Sequence, residues 1–469
     1  MKMKTSEFES KLLDKFNFEP TDSQKVLFHE LTNFILNEDA DGIFVLKGFA
    51  GTGKTSALSA FVSCLWQAKL KSVLLAPTGR AAKVISKYTS QNAFTIHKKI
   101  YFSNREKDGS AKFKLQINKH TDTIFFVDEA SMISSVESKK SESLLNDLID
   151  YVYGGKQCKL VFIGDTAQLP PVKSSISPAL DASYLKKNYH KNVVQVMLED
   201  VVRQKASSGI LGNATELRMI LTDTFEQKFR FSIAPKELIR LEESSEIQDA
   251  IQDAYNEYGV EETAIILRSN KRAYQYNQQI RKIIRGEENE LAVGDLVMVV
   301  KNNYYWLPET SEAGFVANGD VCEVLEIHAF KDLYECRFAE VKLRMIDYEK
   351  QQPFEAVLLL DIINSVEPSV SYEDSNKLYQ EISKDFSSKS KYQQMLEVKK
   401  NMYFNALQVK FSYAITCHKS QGGQWKCVFI EKPYLPKGQN SDYLRWLYTA
   451  LTRAEEKIYL IGFEEDDFQ

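Results

Sequence analysis

The chain has 469 residues, 43% of them hydrophobic and 12% aromatic, which at roughly 100–200 residues per domain supports three or four units with sizeable cores. Its formal net charge of −4 excludes a global basic field of the kind that coats DNA non-specifically, so any nucleic-acid contact has to be local to a cleft. No run approaches the roughly 18 consecutive apolar residues of a membrane span and the opening MKMKTSEFES has no apolar signal core, so no membrane partner and a cytoplasmic location are expected.

In chain order, four short β-branched or aromatic runs end abruptly in polar or glycine residues: IFVLKG (43–48), SVLLAPT (72–78), TIFFVDEA (123–130) and KLVFIGD (159–165). They read as strands buried on both faces. Helical segments such as 55–70 lie between them, and that alternation predicts a parallel sheet covered by helices. Residues 100–120 alternate loosely around KDGS and suit a β-hairpin projecting from the first domain. A second series, AIILRSN (264–270), KCVFIE (426–431) and KIYLIG (457–462), has the same buried-strand character, so two α/β domains are expected with a boundary near residue 200. Between them, DLVMVV, DVCEVLEI and LYECRFAEVKL alternate over about 295–360 and suggest a small β-barrel. Residues 368–405 turn charged and helix-prone, a helical arm or a solvated linker. The six cysteines (Cys64, Cys158, Cys322, Cys336, Cys417, Cys427) lack the short spacing of a zinc or redox pair and read as reduced thiols.

The chemistry begins at GFAGTGKTS (48–56), which fits G-x-x-x-x-G-K-[ST] between a predicted strand and a predicted helix. Small residues there let the backbone N–H groups of Gly48, Ala50, Gly51, Thr52, Gly53, Lys54, Thr55 and Ser56 curl around phosphate at the positive end of a helix. Lys54 reaches the β and γ oxygens, and Thr55 ligates Mg²⁺. The bland alternative is a plain strand–turn–helix junction. FFVDEAS then places Asp128 and Glu129 at a strand end. Asp128 suits the Mg²⁺ shell and Glu129 the polarisation of an attacking water, although two such carboxylates also cap helices. GDTAQLPPV (164–172) supplies Gln168, an uncharged donor and acceptor able to sense a γ-phosphate, or a residue of an ordinary proline-rich turn.

In that order and spacing, these three segments resemble motifs I, II and III of superfamily 1 helicases, nearest to the RecD/Dda/Pif group of class B. The resemblance extends to TDSQ (21–24), similar to the group's adenine-reading glutamine (Gln24), to APTGRAA (76–82), similar to motif Ia, and to FTIHKKI (94–100). YAITCHKSQGGQW (413–425) is similar to motif V, whose Gly422 joins the nucleotide-binding set, and YTALTRAEEKIYLIG (448–462) to motif VI.

The resemblance implies an ATP- and Mg²⁺-dependent DNA helicase moving 5′ to 3′ on single strands and acting at single-strand/duplex junctions as a monomer. Its fold would be two RecA-like domains: 1–99 with 121–200, carrying the hairpin pin 100–120, and 201–294 with 408–469, carrying an SH3-like insert over 295–407. Arg203 and Arg453 would reach the γ-phosphate. Pro77, Thr78, Arg80, Thr95, His97, Asn270, Lys271, Thr416, His418 and Lys419 would follow the DNA backbone, with His97 and His418 equally readable as interior histidines. Tyr101, Phe102 or Phe113 would stack on a base, or simply form the hairpin's own small core. NNYYWLPE (302–309) is better read as packed against the barrel than as touching DNA. Motif V continues GGQW where many relatives carry an acidic residue, and the lead of about 20 residues leaves no room for an accessory domain. A strand-stripping translocase, an RNA-directed helicase and a non-catalytic nucleotide-gated module remain the alternatives, and repair, replication and recombination are not distinguished.

Overall fold

The structure, a computed structural model, describes residues 3–37, 41–105, 111–134, 143–171, 174–201, 208–222, 228–233, 236–308, 310–436 and 438–469. It divides into two units, the first comprising 1–100, 115–242 and 420–469 and the second 101–114 with 243–419.

Chain order lays down β1 (Gly42–Gly48), β2 (Lys71–Ala76) and β3 (Ala93–Thr95), then a hairpin of β4 (Tyr101–Arg105) and β5 (Ala111–Leu115), then β6 (Thr123–Val127), β7 (Lys159–Gly164) and β8 (Asn192–Leu198). Without the hairpin these strands form one six-stranded sheet of order β3-β2-β6-β7-β1-β8, and every pairing in it is parallel. The four strands expected from sequence are its centre. β6 and β7 are buried at every residue, as strands covered on both faces must be. On one face pack the N-terminal helices Thr5–Lys15 and Asp22–Leu36 and the helices Lys54–Cys64 and Gly79–Thr89, around Phe8, Phe28 and Phe61. β9 (Leu238–Leu241) closes this part of the chain.

In the second unit, β10 (Thr263–Leu267) leads into the helix Asn270–Gln279. β11 (Leu296–Val299), β12 (Val321–Leu333), β13 (Cys336–Met345), β14 (Phe354–Leu359) and β15 (Leu407–Phe411) form the expected barrel, which is closed. Residues 368–405 contain two helices, Tyr372–Lys384 and Lys391–Lys400, that pack on the barrel through Leu378, Ile382 and Val398. The aromatic cluster packs there as well: Trp306 Nε1 donates to the Asn405 carbonyl at 2.8 Å and Tyr305 donates to Lys400 O at 3.1 Å. A buried bidentate pair, Arg281 with Asp295 at 3.0 and 2.9 Å, ties the segment after the Asn270–Gln279 helix to the barrel's first strand. β16 (Ala414–Thr416) pairs in parallel with β10.

The chain returns to the first unit with β17 (Trp425–Glu431), the helix Ser441–Leu451 and β18 (Ala454–Ile461); β17, β18 and β9 are neighbours and parallel. The architecture is thus α/β, two RecA-like parallel-sheet domains with a hairpin interrupting the first and a closed barrel inserted in the second. None of the six cysteines is joined in a disulfide.

Candidate nucleotide cleft and nucleic-acid interface

The turn after β1 depends on its glycines. Gly51 and Gly53 adopt φ of +76° and +82°, in the left-handed region that side chains disfavour. A Cβ on Gly48 would lie 3.0 Å from both Lys54 and Thr52 and 3.1 Å from Leu198. The loop is braced from two sides. Thr52 Oγ1 donates to the Phe49 carbonyl at 2.8 Å, and Gln24 Nε2 donates to Thr52 O at 3.0 Å. Gln24 Oε1 accepts from Thr21 N at 3.0 Å, so this amide both caps its own helix and holds the loop. Lys54 Nζ folds back on the carbonyls of Gly48 and Phe49 at 2.7 and 2.8 Å, which phosphate oxygens would replace.

Two strand ends supply the acidic centre. Asp128 follows β6, and its Oδ1 accepts the N–H of Glu129 at 2.8 Å. Burial, reinforced by the neighbouring Glu129 charge, pushes the Asp128 carboxyl up to about 7. A carboxylate so destabilised gains most from a cation beside it. Glu129 itself sits at φ +51°, the kind of strained backbone that clusters at functional sites. After β7, Asp165 Oδ1 accepts from Ala167 N at 2.9 Å, and Gln168 is buried with an Oε1 that has no hydrogen-bond partner among the described residues. A buried amide oxygen costs free energy until a donor reaches it, and a water on a bound phosphate is a fitting one.

The segment from Ser420 to the C-terminus closes the site. Tyr448 donates its hydroxyl to Asp165 Oδ2 at 2.7 Å and accepts the Ala50 N–H at 2.8 Å, linking the phosphate loop to the β7 exit. Thr449 Oγ1 accepts from Leu169 N at 2.8 Å, Gln421 Nε2 donates to Leu169 O at 2.7 Å, and Arg445 donates to Thr166 O. Arg453 is 4% exposed; its guanidinium donates to the carbonyls of Thr449 at 3.0 Å and Gly423 at 3.2 Å. Gln24, Lys54, Thr55, Asp128, Glu129, Gln168 and Arg453 all line one cavity of about 710 Å³, a size that suits a nucleotide. Arg203 lies outside the described residues.

The donor set fits Mg²⁺. No group of three or more His, Cys, Asp or Glu capable of caging a metal occurs among the described residues, and Mg²⁺ needs none when one carboxylate, one hydroxyl and substrate phosphates share it. Thr55 and Asp128 face the cavity that would hold those phosphates.

The nucleic-acid candidates fall into two groups. In the first unit, Thr78 Oγ1 accepts from Ala81 N at 3.2 Å and Thr95 Oγ1 from Lys98 N at 3.2 Å, so both hydroxyls cap helices that start at strand exits; Pro77 is half-buried beside Thr78. Burial lowers the His97 imidazole below its ordinary value, favouring the neutral ring. Arg80 lies across Trp425, 4.1 Å from the ring centroid. In the second unit Asn270, Thr416 and Lys419 line one small cavity, which Lys271 and His418 do not. Burial brings the Lys419 ammonium down to about 8 and lowers His418, with the Arg268 charge adding to the latter. Phe102 on β4 is 39% exposed; Phe113 is on β5, its side chain outside the described residues, as is the KDGS turn (107–110).

Sequence reasoning missed several residues of the cleft. Phe16 and Phe18 line it beside Gln24, with ring centroids 5.8 Å apart and Phe18 43% exposed. Leu211 covers Gly51, and Arg218 stacks over Phe49 at 4.6 Å. The FNF run just before TDSQ was the one local signal for the aromatic pair. Tyr448 carried none, because its partners lie hundreds of residues away.

Two family models match the chain, an AAA domain over residues 24–219 and a UvrD-like helicase C-terminal domain over 411–461. An uncharacterized protein of Acanthamoeba polyphaga mimivirus is 25% identical, over 93% of this chain and 98% of its own length. RecBCD enzyme subunit RecD of Buchnera aphidicola is 23% identical over 97% and 78%, and the ATP-dependent DNA helicase dda of Enterobacteria phage T4 is 28% identical over 37% of each chain. A Bacteroides Pif1 helicase solved with ADP-AlF3 and ssDNA overlays 96% of this chain and 94% of its own with a TM-score of 0.45 at 15% identity.

Proposed function

We infer that the chain is a member of the RecD/Dda/Pif group of superfamily 1 helicases, class B, and an ATP-dependent DNA helicase moving 5′ to 3′ along single-stranded DNA. The observation that carries the reading is the single cavity into which the phosphate loop, the Asp128–Glu129 pair, the unpartnered Gln168 oxygen and Arg453 all open.

ATP entering that cavity would draw Lys54 off the Gly48 and Phe49 carbonyls and onto the β and γ oxygens. Gln24 would present its amide edge to the adenine while keeping the loop braced, and Phe18 would cover the ring. When bound beside Thr55 and Asp128, Mg²⁺ supplies neutralisation of the phosphate charge. Glu129 would take up the proton of the attacking water, with Gln168 Oε1 accepting that water's second hydrogen. Arg453, with Arg203, would stabilise the charge spreading over the transferring phosphoryl group, a contribution worth about 10³–10⁵ in rate. Ala50, Gly51, Thr52, Gly53 and Ser56 would complete the phosphate cradle, with Gly48 and Gly422 giving the backbone room.

Thr78, Thr95, Asn270, Lys271, Thr416, His418 and Lys419 are assigned to the strand's sugar–phosphate backbone, and Phe102 or Phe113 to a base at the junction. The assignment carries the domain limits stated above, with 100–120 as the separating pin. A monomer acting in the cytoplasm on single-strand/duplex junctions completes the proposal. Among the described residues no helix is long and apolar enough to cross a membrane.

Strand separation of two partial duplexes, one 5′-tailed and one 3′-tailed, tests it with ATP turnover followed in parallel. Opening of the 5′-tailed duplex alone is expected, with Lys54→Ala abolishing both opening and turnover. Opening of the 3′-tailed duplex alone would refute the polarity, and tails that stimulate turnover without opening either duplex would leave a translocase. Preferential stimulation by an RNA tail would redirect the substrate.

A further inference from the structure

Arg80 opens the helix after β2, in the segment assigned to DNA, yet its guanidinium is occupied inside the protein. Its carbon lies 4.1 Å from the centroid of the Trp425 ring, and Nη2 donates to the Gln424 carbonyl at 3.2 Å. Trp425 is 5% exposed and Arg80 is half-buried, so the indole face shields one side of the guanidinium from water, which strengthens a cation over an aromatic ring. The stack also explains GGQW. A Cβ on Gly423 would lie 2.5 Å from Trp425 Cη2 and 3.2 Å from Arg80 Cδ, so any side chain there displaces the ring or the arginine.

Two residues of the same turn also hold Arg453. Trp425 N–H donates to the Arg453 carbonyl at 2.9 Å, and Arg453 Nη1 donates to Gly423 O at 3.2 Å, while Gln424 lines the nucleotide cavity. The turn 422–425 is therefore gripped by one arginine from the motif Ia helix and by another that lines the nucleotide-sized cavity. Every one of these residues belongs to the first unit.

We propose that Arg80 is a positioning residue for Arg453 and not a DNA phosphate contact: its stack on Trp425 and its bond to Gln424 fix the turn that aims the Arg453 guanidinium. The proposal rests on the reading of the cavity as an ATPase site. It also supplies a mechanical link from that site to Thr78, the helix cap two residues before Arg80.

Lysine separates the two roles, because it keeps the charge that a phosphate contact needs and loses the planar face and fork that the stack and carbonyl bond need. ATP turnover at saturating oligo(dT) and the affinity for fluorescein-labelled oligo(dT) across a salt series are measured for wild type, Arg80→Lys, Arg80→Ala, Trp425→Leu and the Arg80→Lys/Trp425→Leu pair. Arg80→Lys is expected to lower DNA-saturated kcat about tenfold, the scale of a partly desolvated cation–π contact together with the lost carbonyl bond, with oligo(dT) affinity and its salt dependence unchanged. Trp425→Leu should do the same, and the double variant should be no worse than either single one. If Arg80→Lys keeps wild-type kcat while Arg80→Ala weakens oligo(dT) binding and flattens its salt slope by about 0.7, Arg80 is a phosphate contact and the proposal falls. A wild-type protein that turns over no ATP would overturn the reading of the cavity, and the role of Arg80 with it.

Discussion

Replacing Tyr448 by Phe removes one oxygen from the centre of the cleft and leaves the ring in place. The hydroxyl bridges the phosphate loop and the β7 exit, donating to Asp165 Oδ2 at 2.7 Å and accepting from Ala50 N–H at 2.8 Å, in a side chain 1% exposed. Burial and the Asp165 charge hold the phenol far above its ordinary value, so it is a neutral donor at every working pH. The bond to a carboxylate is worth about 1.5–3 kcal/mol, and an orphaned buried N–H costs about 1–3 kcal/mol. Water from the adjoining cavity can reach Ala50 N–H in part, so the expected loss is about 2–4 kcal/mol. Urea titration reads it as a lower midpoint at unchanged m, followed on the transition that a non-hydrolysable ATP analogue shifts, since that transition reports the nucleotide-binding unit. A loosened loop should also raise the KM for ATP. In an Asp165→Asn background the same change should cost less, because the partner has already lost its charge. A midpoint moved by the equivalent of under about 0.5 kcal/mol, with an unaltered KM, would show that neither bond contributes.

Gly422→Ala places a Cβ 2.9 Å from Ala81 Cβ and 3.3 Å from Thr78 Oγ1, at a φ of +73°. The left-handed backbone costs about 1–2 kcal/mol and the overpacking about 1–3 kcal/mol, so the same titration should register a loss of 2 kcal/mol or more; wild-type stability would refute the close approach. Lys419, with its ammonium lowered from 10.5 to about 8 by burial, is charged at pH 7 and largely neutral at pH 9. Oligo(dT) affinity should fall between those values and its salt slope flatten by about 0.7, and Lys419→Arg should lessen the pH dependence, the neighbouring Lys410 ammonium being lowered to about 8 as well; a slope constant with pH would take Lys419 off the DNA. The linkage has the opposite sign for the free protein. Between pH 8 and 10.5 the unfolded chain holds a proton that the folded chain has released, so this group makes stability rise with pH across that window, as urea midpoints taken without DNA would record.

What the sequence determined by itself was whatever the local chain dictates. β1, β2, β6 and β7 were legible because strands covered on both faces are continuous β-branched or aromatic runs, and β3 was not, being three residues long. β8 escaped because an edge strand is only partly covered, and its run NVVQVML includes exposed Asn192 and Gln195. The phosphate loop was legible for a related reason: its glycines, lysine and threonine act within one turn of chain, and the left-handed φ of Gly51 and Gly53 is a demand that composition itself records. The helices within 368–405 were readable as helix-prone, but their packing on the barrel through Leu378, Ile382 and Val398 was not.

Tertiary structure decided the partnerships. Tyr448 meets Asp165 and Ala50, Thr449 meets Leu169, Gln421 meets the same loop, and Arg80 meets Trp425, across sequence separations of 252–398 residues. No periodicity encodes such pairs. It also decided that residues 420–469 cluster with the phosphate loop's unit while 243–419 form another. The physical reason is that a hydroxyl, an amide or a guanidinium is indifferent to sequence and bonds whatever donor or acceptor burial brings within about 3 Å. Local sequence therefore sets which groups are available, and packing of the sheets sets which of them meet.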